Sequence, residues 1–197
     1  MKNMDINYED LRLYREISLS NLEHNLRQIE GLIDDNCKVM AIVKADAYGH
    51  GAVEVSRYLQ VLGIRNFAVA SIDEAIELRK ANIDGEILVL GYTPISRKSD
   101  LINFNITQTI IDYDYANKIC ETKGKIKVHI KIDTGMNRLG ENCKEIENLI
   151  SIYKNNNLQI EGTFSHLSRA DSLLKEDVEF TNKQIEGFYT TIIKLES

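Results

Sequence analysis

The stretch that decides the fold is VMAIVKADAYGHG, residues 39–51. Its first five residues, Val39–Val43, are all apolar. A strand without polar alternation is expected where both faces of a sheet are covered, as in parallel α/β sheets. Gly49 and Gly51 follow the strand and allow backbone conformations closed to other residues, and a helix with the spacing of an amphipathic segment begins near Ala52. The stretch therefore predicts a buried strand, a tight turn and a helix.

The same pattern recurs on both sides of this stretch, where short apolar runs alternate with segments of helical spacing. The predicted strands are Glu16–Leu19, Val39–Val43, Phe67–Ala70, Ile87–Leu90, Gln108–Ile111, Lys127–Ile132 and Ile160–Phe164. A first helix is predicted after Ser20, which would cap it, and later helices at about Ala52–Leu62, Asp73–Ala81, Ser96–Phe104, Tyr113–Thr122, Lys144–Asn155 and Glu176–Leu195. The chain is therefore an α/β protein without an internal linker.

Two common α/β classes lack their markers in this sequence. No GxGxxG follows the first strand, and no GxxxxGK[ST] occurs anywhere. The favoured fold class is therefore a (β/α)8 TIM-type barrel. In such a barrel the active-site residues project from the carboxyl ends of the strands.

Composition excludes several classes of function. The chain has 197 residues, 24 Lys and Arg against 30 Asp and Glu, and a formal net charge of −6. This balance argues against binding to nucleic acid or to an anionic membrane surface. The N-terminus lacks an export pattern and no apolar run approaches about 18 residues, so a cytoplasmic location is expected. Neither a disulfide nor a metal site is expected, because the three cysteines are widely spaced and no His or Cys pair has ligand spacing.

Three strand ends carry candidate chemistry. Lys44 ends an apolar strand, where partial desolvation would favour a nucleophilic amine, although its side chain could instead extend to solvent. Lys131 lies between two isoleucines and must be paired with a carboxylate or be chemically altered. Arg138 offers a fork of donors to an oxyanion, or is a solvated loop residue. His166 follows the last strand and could equally be structural, while His129 shares the face of Lys131 and would fill the barrel.

Three segments in order resemble the alanine racemase family. Val43–Gly51 looks like the family's pyridoxal-phosphate attachment motif, a long and uncommon pattern. Lys131–Gly140 is similar to its second signature, and Phe164–Leu167 with Asp171 to its third. The family interconverts L- and D-alanine with pyridoxal 5'-phosphate and supplies D-alanine for peptidoglycan.

The resemblance implies a role for each strand-end residue. Lys44 would be the catalytic lysine that binds the cofactor and then acts as acid and base on one face of the substrate Cα. Tyr48 would reach the cofactor phosphate, Leu90 would line the site, and His166 would lie against the cofactor ring.

The second signature implies further contacts. Arg138 would bind the cofactor's phenolic oxygen and help to hold the substrate carboxylate, and Met136 would lie near that carboxylate. Lys131 matches a position that is carbamylated in many members, which would turn a buried cation into an anion able to orient Arg138.

The resemblance covers essentially the whole chain, but only the N-terminal portion of the family. Six of the eight barrel strands are recognisable, and the C-terminal β-domain is not. In the family that domain supplies a second base, a tyrosine, to the partner subunit of a homodimer. We therefore expect residues 1–197 to be the N-terminal part of a racemase barrel and to be inactive alone.

Two alternatives remain at this point. Ser165–Leu167, Ala170–Ser172 and Phe180–Gln184 are at least as similar to the serine racemases of vancomycin resistance. A non-catalytic pyridoxal-phosphate homeostasis protein also carries its cofactor on a lysine at the end of the first barrel strand, although its motifs fit less well.

Overall fold

The computed structural model describes residues 12–121 and 123–196. In this part of the chain, the strands are β1 (Met40–Ile42), β2 (Asn66–Val69), β3 (Glu86–Val89), β4 (Thr107–Ile110), β5 (Ile126–Asp133), β6 (Glu141–Asn142) and β7 (Leu158–Phe164). The helices are α1 (Leu19–Glu30), α2 (Ala52–Val61), α3 (Ile72–Lys80), α4 (Lys98–Asn103), α5 (Tyr113–Cys120), α6 (Ile146–Tyr153) and α7 (Lys175–Glu196). A short helical turn, Lys44–Gly49, follows β1, and a 3-10 turn, Ile95–Arg97, precedes α4.

The sheet is parallel throughout. Its main strands follow one another in the order β1, β2, β3, β4, β5, β7, and the short β6 pairs with the carboxyl end of β5. Helices connect successive strands, which is the connectivity of a (β/α) barrel. The six barrel strands predicted from the apolar runs are confirmed, and the fold is a partial TIM-type barrel.

The core lies between the sheet and its helices. Within β3, Ile87 and Val89 are fully buried and Leu88 is 2% exposed, so both faces of the strand are covered. Helix α3 begins where Ser71 accepts a hydrogen bond from the amide of Glu74, and α5 begins where Asp112 accepts one from Tyr115. Capped helices and buried strands together align the carboxyl ends of the strands on one side of the barrel.

The opening of the chain differs from its prediction. The segment predicted as the strand Glu16–Leu19 is not a strand, and α1 already begins at Leu19. Its cap is Ser18, whose Oγ lies 3.2 Å from the amide nitrogen of Asn21, and not Ser20. Within the described residues no strand lies beside this segment, so its backbone has no ladder to join. The predicted end of α5, Thr122, lies outside the described residues.

Polar side chains fill part of the barrel interior. His129 on β5 places Nε2 2.9 Å from Oε1 of Glu86, which lies two strands away on β3. On the other side of its ring, a Cβ added to Gly162 of β7 would lie 2.9 Å from Cε1. The predicted role of His129 in filling the barrel therefore holds, and only glycine fits opposite it.

All three cysteines are free, and none of the described helices is long and apolar enough to cross a bilayer.

Candidate active site

The turn after β1 is left-handed. Ala45, Asp46, Ala47 and Tyr48 all have φ between 51° and 55°, and none is a glycine. An L-residue in this conformation costs about 1–2 kcal/mol. The sequence predicted unusual backbone geometry at Gly49 and Gly51, which do have positive φ, but gave no sign that the four residues before them share it.

This turn places two of the predicted site residues together. Lys44 is half-buried at the end of β1, and its Nζ lies 5.8 Å from the centre of the Tyr48 ring. Tyr48 is 63% exposed, so its hydroxyl is available to a ligand. The amine and the phenol thus stand side by side at the carboxyl edge of the barrel.

Two acidic side chains hold the turn in its unusual conformation. The carboxylate of Glu74 on α3 accepts a hydrogen bond from the amide of Ala45 at 2.9 Å and another from the amide of Ala70 at 2.7 Å. Asp46 accepts one from the amide of Ala52, the first residue of α2, at 2.7 Å. Sequence reasoning missed Glu74, because it lies 29 residues from Ala45 on the following helix.

Lys131 lies near the end of β5 and is 5% exposed. Its Nζ donates a hydrogen bond to the carbonyl oxygen of Leu139 at 2.6 Å, so its partner is a backbone carbonyl and not the carboxylate that the sequence suggested. Burial lowers the pKa of Lys131; the nearby Asp133 opposes this and Arg138 reinforces it. Burial of this amine beside a neutral acceptor therefore favours its uncharged form.

The loop after β5 carries Met136 and Arg138. Asp133 shapes it by accepting hydrogen bonds from the amides of Gly135 and Asn137, at 2.9 and 3.1 Å. Met136 is half-buried and Arg138 is exposed. The guanidinium is therefore free to meet a ligand at this edge of the barrel.

His166 follows β7, at the same carboxyl edge of the parallel sheet as Lys44, Lys131 and Arg138. Partial burial lowers its pKa, and the positive charges of Arg138, Lys131 and Lys44 lower it further. Because its pKa lies below the ordinary value of about 6.5, the imidazole of His166 is neutral at neutral pH. The structure thus brings Lys44, Lys131, Arg138 and His166 to one site.

The loops after β5 and β7 are joined beneath this cluster. Thr134 and Ser165 share a hydrogen bond of 2.8 Å between their hydroxyls. Gln184 of α7, which is 1% exposed, donates to the carbonyl oxygen of His166 at 3.2 Å and accepts from the amide of Ser168 at 3.0 Å. Sequence reasoning missed this contribution of Gln184.

Leu90 is half-buried at the end of β3, where its amide donates to Val69, on the same side of the barrel.

Known proteins resemble this chain over most of its length. Residues 17–197 match the profile described as "Alanine racemase, N-terminal domain". The chain belongs to the alanine racemase family. Members of the family depend on pyridoxal 5'-phosphate. The resemblance inferred from the three signature segments is thereby confirmed.

Individual racemases match nearly the whole chain. An amino-acid racemase of Enterococcus faecalis is 46% identical over 92% of this chain and 26% of its own length. The serine/alanine racemase of Enterococcus gallinarum is 44% identical over 94% of this chain and also 26% of its own length. The structure of Clostridium difficile alanine racemase in complex with cycloserine aligns with a TM-score of 0.84 and 39% identity, covering 90% of this chain and 50% of that one. The chain thus spans between a quarter and a half of these racemases.

Proposed function

We propose that the protein containing this chain is a pyridoxal-phosphate-dependent racemase that interconverts L- and D-alanine. Residues 1–197 would form the N-terminal part of its cofactor-binding barrel. The observation that carries the proposal is the cluster of Lys44, Lys131, Arg138 and His166 at the carboxyl ends of the strands. The primary amine of Lys44 suits a ligand with an aldehyde, and the guanidinium of Arg138 suits the anionic oxygens of such a ligand and of an amino-acid substrate.

The donor set fits the cofactor. Lys44 would bind it covalently through Nζ, and the exposed hydroxyl of Tyr48 would donate to its phosphate. Arg138 would donate to the phenolic oxygen and to the substrate carboxylate, with Met136 beside that carboxylate. His166, whose pKa is lowered by burial and by its cationic neighbours, would lie against the ring, and Leu90 would line the wall.

Racemisation requires removal of a weakly acidic α-proton. When bound, pyridoxal phosphate supplies an electron sink for the resulting carbanion. Lys44 would accept the α-proton from one face of Cα, and in the reverse direction it would donate a proton to that face. Racemisation needs a second base on the opposite face, which we assign to a residue outside this chain, from the partner subunit of a homodimer.

Lys131 would orient Arg138. Among the described residues its amine bonds a backbone carbonyl, and burial favours the neutral form. Addition of CO2 to the neutral Nζ, with loss of a proton, would place an anion beside the guanidinium. The proposed location of the enzyme is the cytoplasm.

The test concerns Lys44. Borohydride reduction of the protein with pyridoxal phosphate, followed by peptide mapping, should place the pyridoxyl group on Lys44. Lys44→Arg keeps the charge but should abolish labelling and lower D-alanine formation by about 10³-fold. Lys38→Arg, at an exposed site, should leave both unchanged. Labelling of another lysine, or of none, would overturn the proposal.

A serine racemase is the second candidate. The observation that favours it is the match to the Enterococcus gallinarum protein named serine/alanine racemase. The two candidates are separated by kcat/KM for L-alanine and L-serine, measured by chiral chromatography. A higher value for serine would favour the second candidate. A cofactor carrier without catalysis would label Lys44 and form neither D-amino acid.

A further inference from the structure

The left-handed turn between β1 and α2 needs contacts from outside itself to persist. Its four strained residues, Ala45–Tyr48, carry no glycine. At its end, the turn is closed by hydrogen bonds from the amides of Gly51 and Ala52 to Asp46. At its beginning, next to Lys44, the side chain that bonds its backbone is Glu74.

Glu74 satisfies two backbone donors with one carboxylate. Oε1 accepts from the amide of Ala45 and Oε2 from the amide of Ala70, at 2.9 and 2.7 Å. Ala70 directly follows β2, the neighbour of β1 in the sheet. The carboxylate therefore ties the first peptide after Lys44 to the end of the adjacent strand, which is a rigid part of the barrel.

Only a side chain with two hydrogen-bond acceptor atoms can bond the amides of Ala45 and Ala70 together in this way. An ionised carboxylate offers lone pairs on both oxygens, whereas a glutamine amide offers one acceptor and one donor. In Glu74→Gln, one of the two backbone N–H groups would face the N–H of the new amide. The substitution conserves shape and removes one anchor of the turn.

We infer that Glu74 is a positioning residue: its two hydrogen bonds set the direction in which Lys44 and Tyr48 leave the end of β1. The inference rests on the proposed function, because Lys44 is the residue whose placement matters to the reaction. The carboxylate of Glu74 bonds backbone amides, so its effect on Lys44 passes through the backbone of Ala45.

The experiment compares Glu74→Gln with Glu77→Gln in the full-length protein that contains this chain. Glu77 lies on the same helix, is exposed, and serves as the matched control for loss of a charge. Five quantities are measured: amide exchange at Ala45, pyridoxal-phosphate affinity by absorbance titration, the kcat and the KM for racemisation, and the urea midpoint.

For Glu74→Gln we expect faster exchange at Ala45, cofactor affinity lower by about tenfold, and kcat lower by about ten- to a hundredfold with the substrate KM nearly unchanged. Glu77→Gln should match the wild type. If Glu74→Gln lowers the urea midpoint but leaves cofactor affinity and kcat equal to those of Glu77→Gln, the residue is merely structural and the inference is overturned.

Two further outcomes are decisive. If Glu74→Gln does not fold, Glu74→Asp replaces it in the experiment, because aspartate keeps the charge but is too short to reach both amides. Glu74→Asp should lower cofactor affinity and kcat, by less than we expect for Glu74→Gln. Wild-type affinity and kcat in Glu74→Asp would overturn the inference. If the wild-type protein itself is not labelled at Lys44, the proposed function fails. Exchange at Ala45 still reports whether Glu74 holds the turn, so the two failures are distinguishable.

Discussion

Gln184 shows how much a single buried side chain contributes to this site. Its amide bonds the carbonyl oxygen of His166 and the amide of Ser168, and lies 3.5 Å from the hydroxyl of Thr134. These partners belong to two loops that approach each other only in the folded barrel. An uncharged side chain thus holds the loops on which the charged groups depend.

Replacing Gln184 by leucine should lower the free energy of unfolding by about 2 kcal/mol, because the buried backbone groups lose their partners. Urea denaturation measures this loss. Asn182→Leu removes an exposed amide from the same helix and should change stability by less than about 0.5 kcal/mol. Equal effects of the two substitutions would contradict the clamping role of Gln184.

The left-handed turn after β1 predicts how substitutions of Ala45 change stability. Ala45 is exposed with φ of 51°, a conformation that glycine adopts freely and β-branched residues avoid. Ala45→Gly should therefore be neutral or slightly stabilising, and Ala45→Val should cost about 1–2 kcal/mol. Thermal unfolding of both variants checks this order, and a valine variant as stable as the glycine variant would argue against a left-handed turn in solution.

The interior of the barrel makes stability depend on pH. The close imidazole of His129 on β5, with Nε2 2.9 Å from Oε1, lowers the pKa of Glu86 on β3, and burial opposes that shift only in part. Since the folded pKa lies below the unfolded value, near 4.3, this carboxylate stabilises the fold above that pH, and the contribution is lost as the pH falls through the folded value.

Glu86→Gln should therefore lessen the loss of stability between neutral pH and about pH 3, as followed by urea midpoints. Glu77→Gln, which alters an exposed carboxylate, should leave the wild-type pH profile in place. If the Glu86 and Glu77 variants show the same acid dependence, the pair inside the barrel does not contribute to it.

At the scale of the whole molecule, the sheet has two free edges. Among the described residues, β1 pairs with β2 alone and β7 with β5 alone. An apolar groove of about 620 Å³ lies beside the β1 edge, lined by residues of α1 and β1 that include Ile42. Unpaired edges next to apolar surface favour association between chains.

The 197-residue polypeptide should therefore associate as its concentration rises, which analytical ultracentrifugation can follow. Ile42 is 42% exposed, and Ile42→Lys places a charge on this edge that should weaken association about tenfold or more. Lys38→Arg, an exposed change that keeps the charge, is the control. A wild-type polypeptide that stays monomeric at all concentrations would contradict this prediction.

The sequence by itself determined the barrel strands, the helices between them and the family. Apolar runs report burial on both faces, and the three signature segments are long enough to be specific. These signals act over a few residues, so they can be read along the chain. The same local reasoning placed a strand at Glu16–Leu19, with which no strand of the described residues pairs.

Only the tertiary structure decided the left-handed turn, the carbonyl partner of Lys131, and the supporting roles of Glu74 and Gln184. Local sequence preferences do not favour a turn of Ala, Asp, Ala and Tyr in that conformation. Its strain is offset by hydrogen bonds that its amides donate to residues far along the chain, such as Glu74, 29 positions from Ala45. Contacts of this kind form only when folding brings the strand ends of the barrel together. The partners are close in space but far apart along the chain, so no local sequence pattern predicts them.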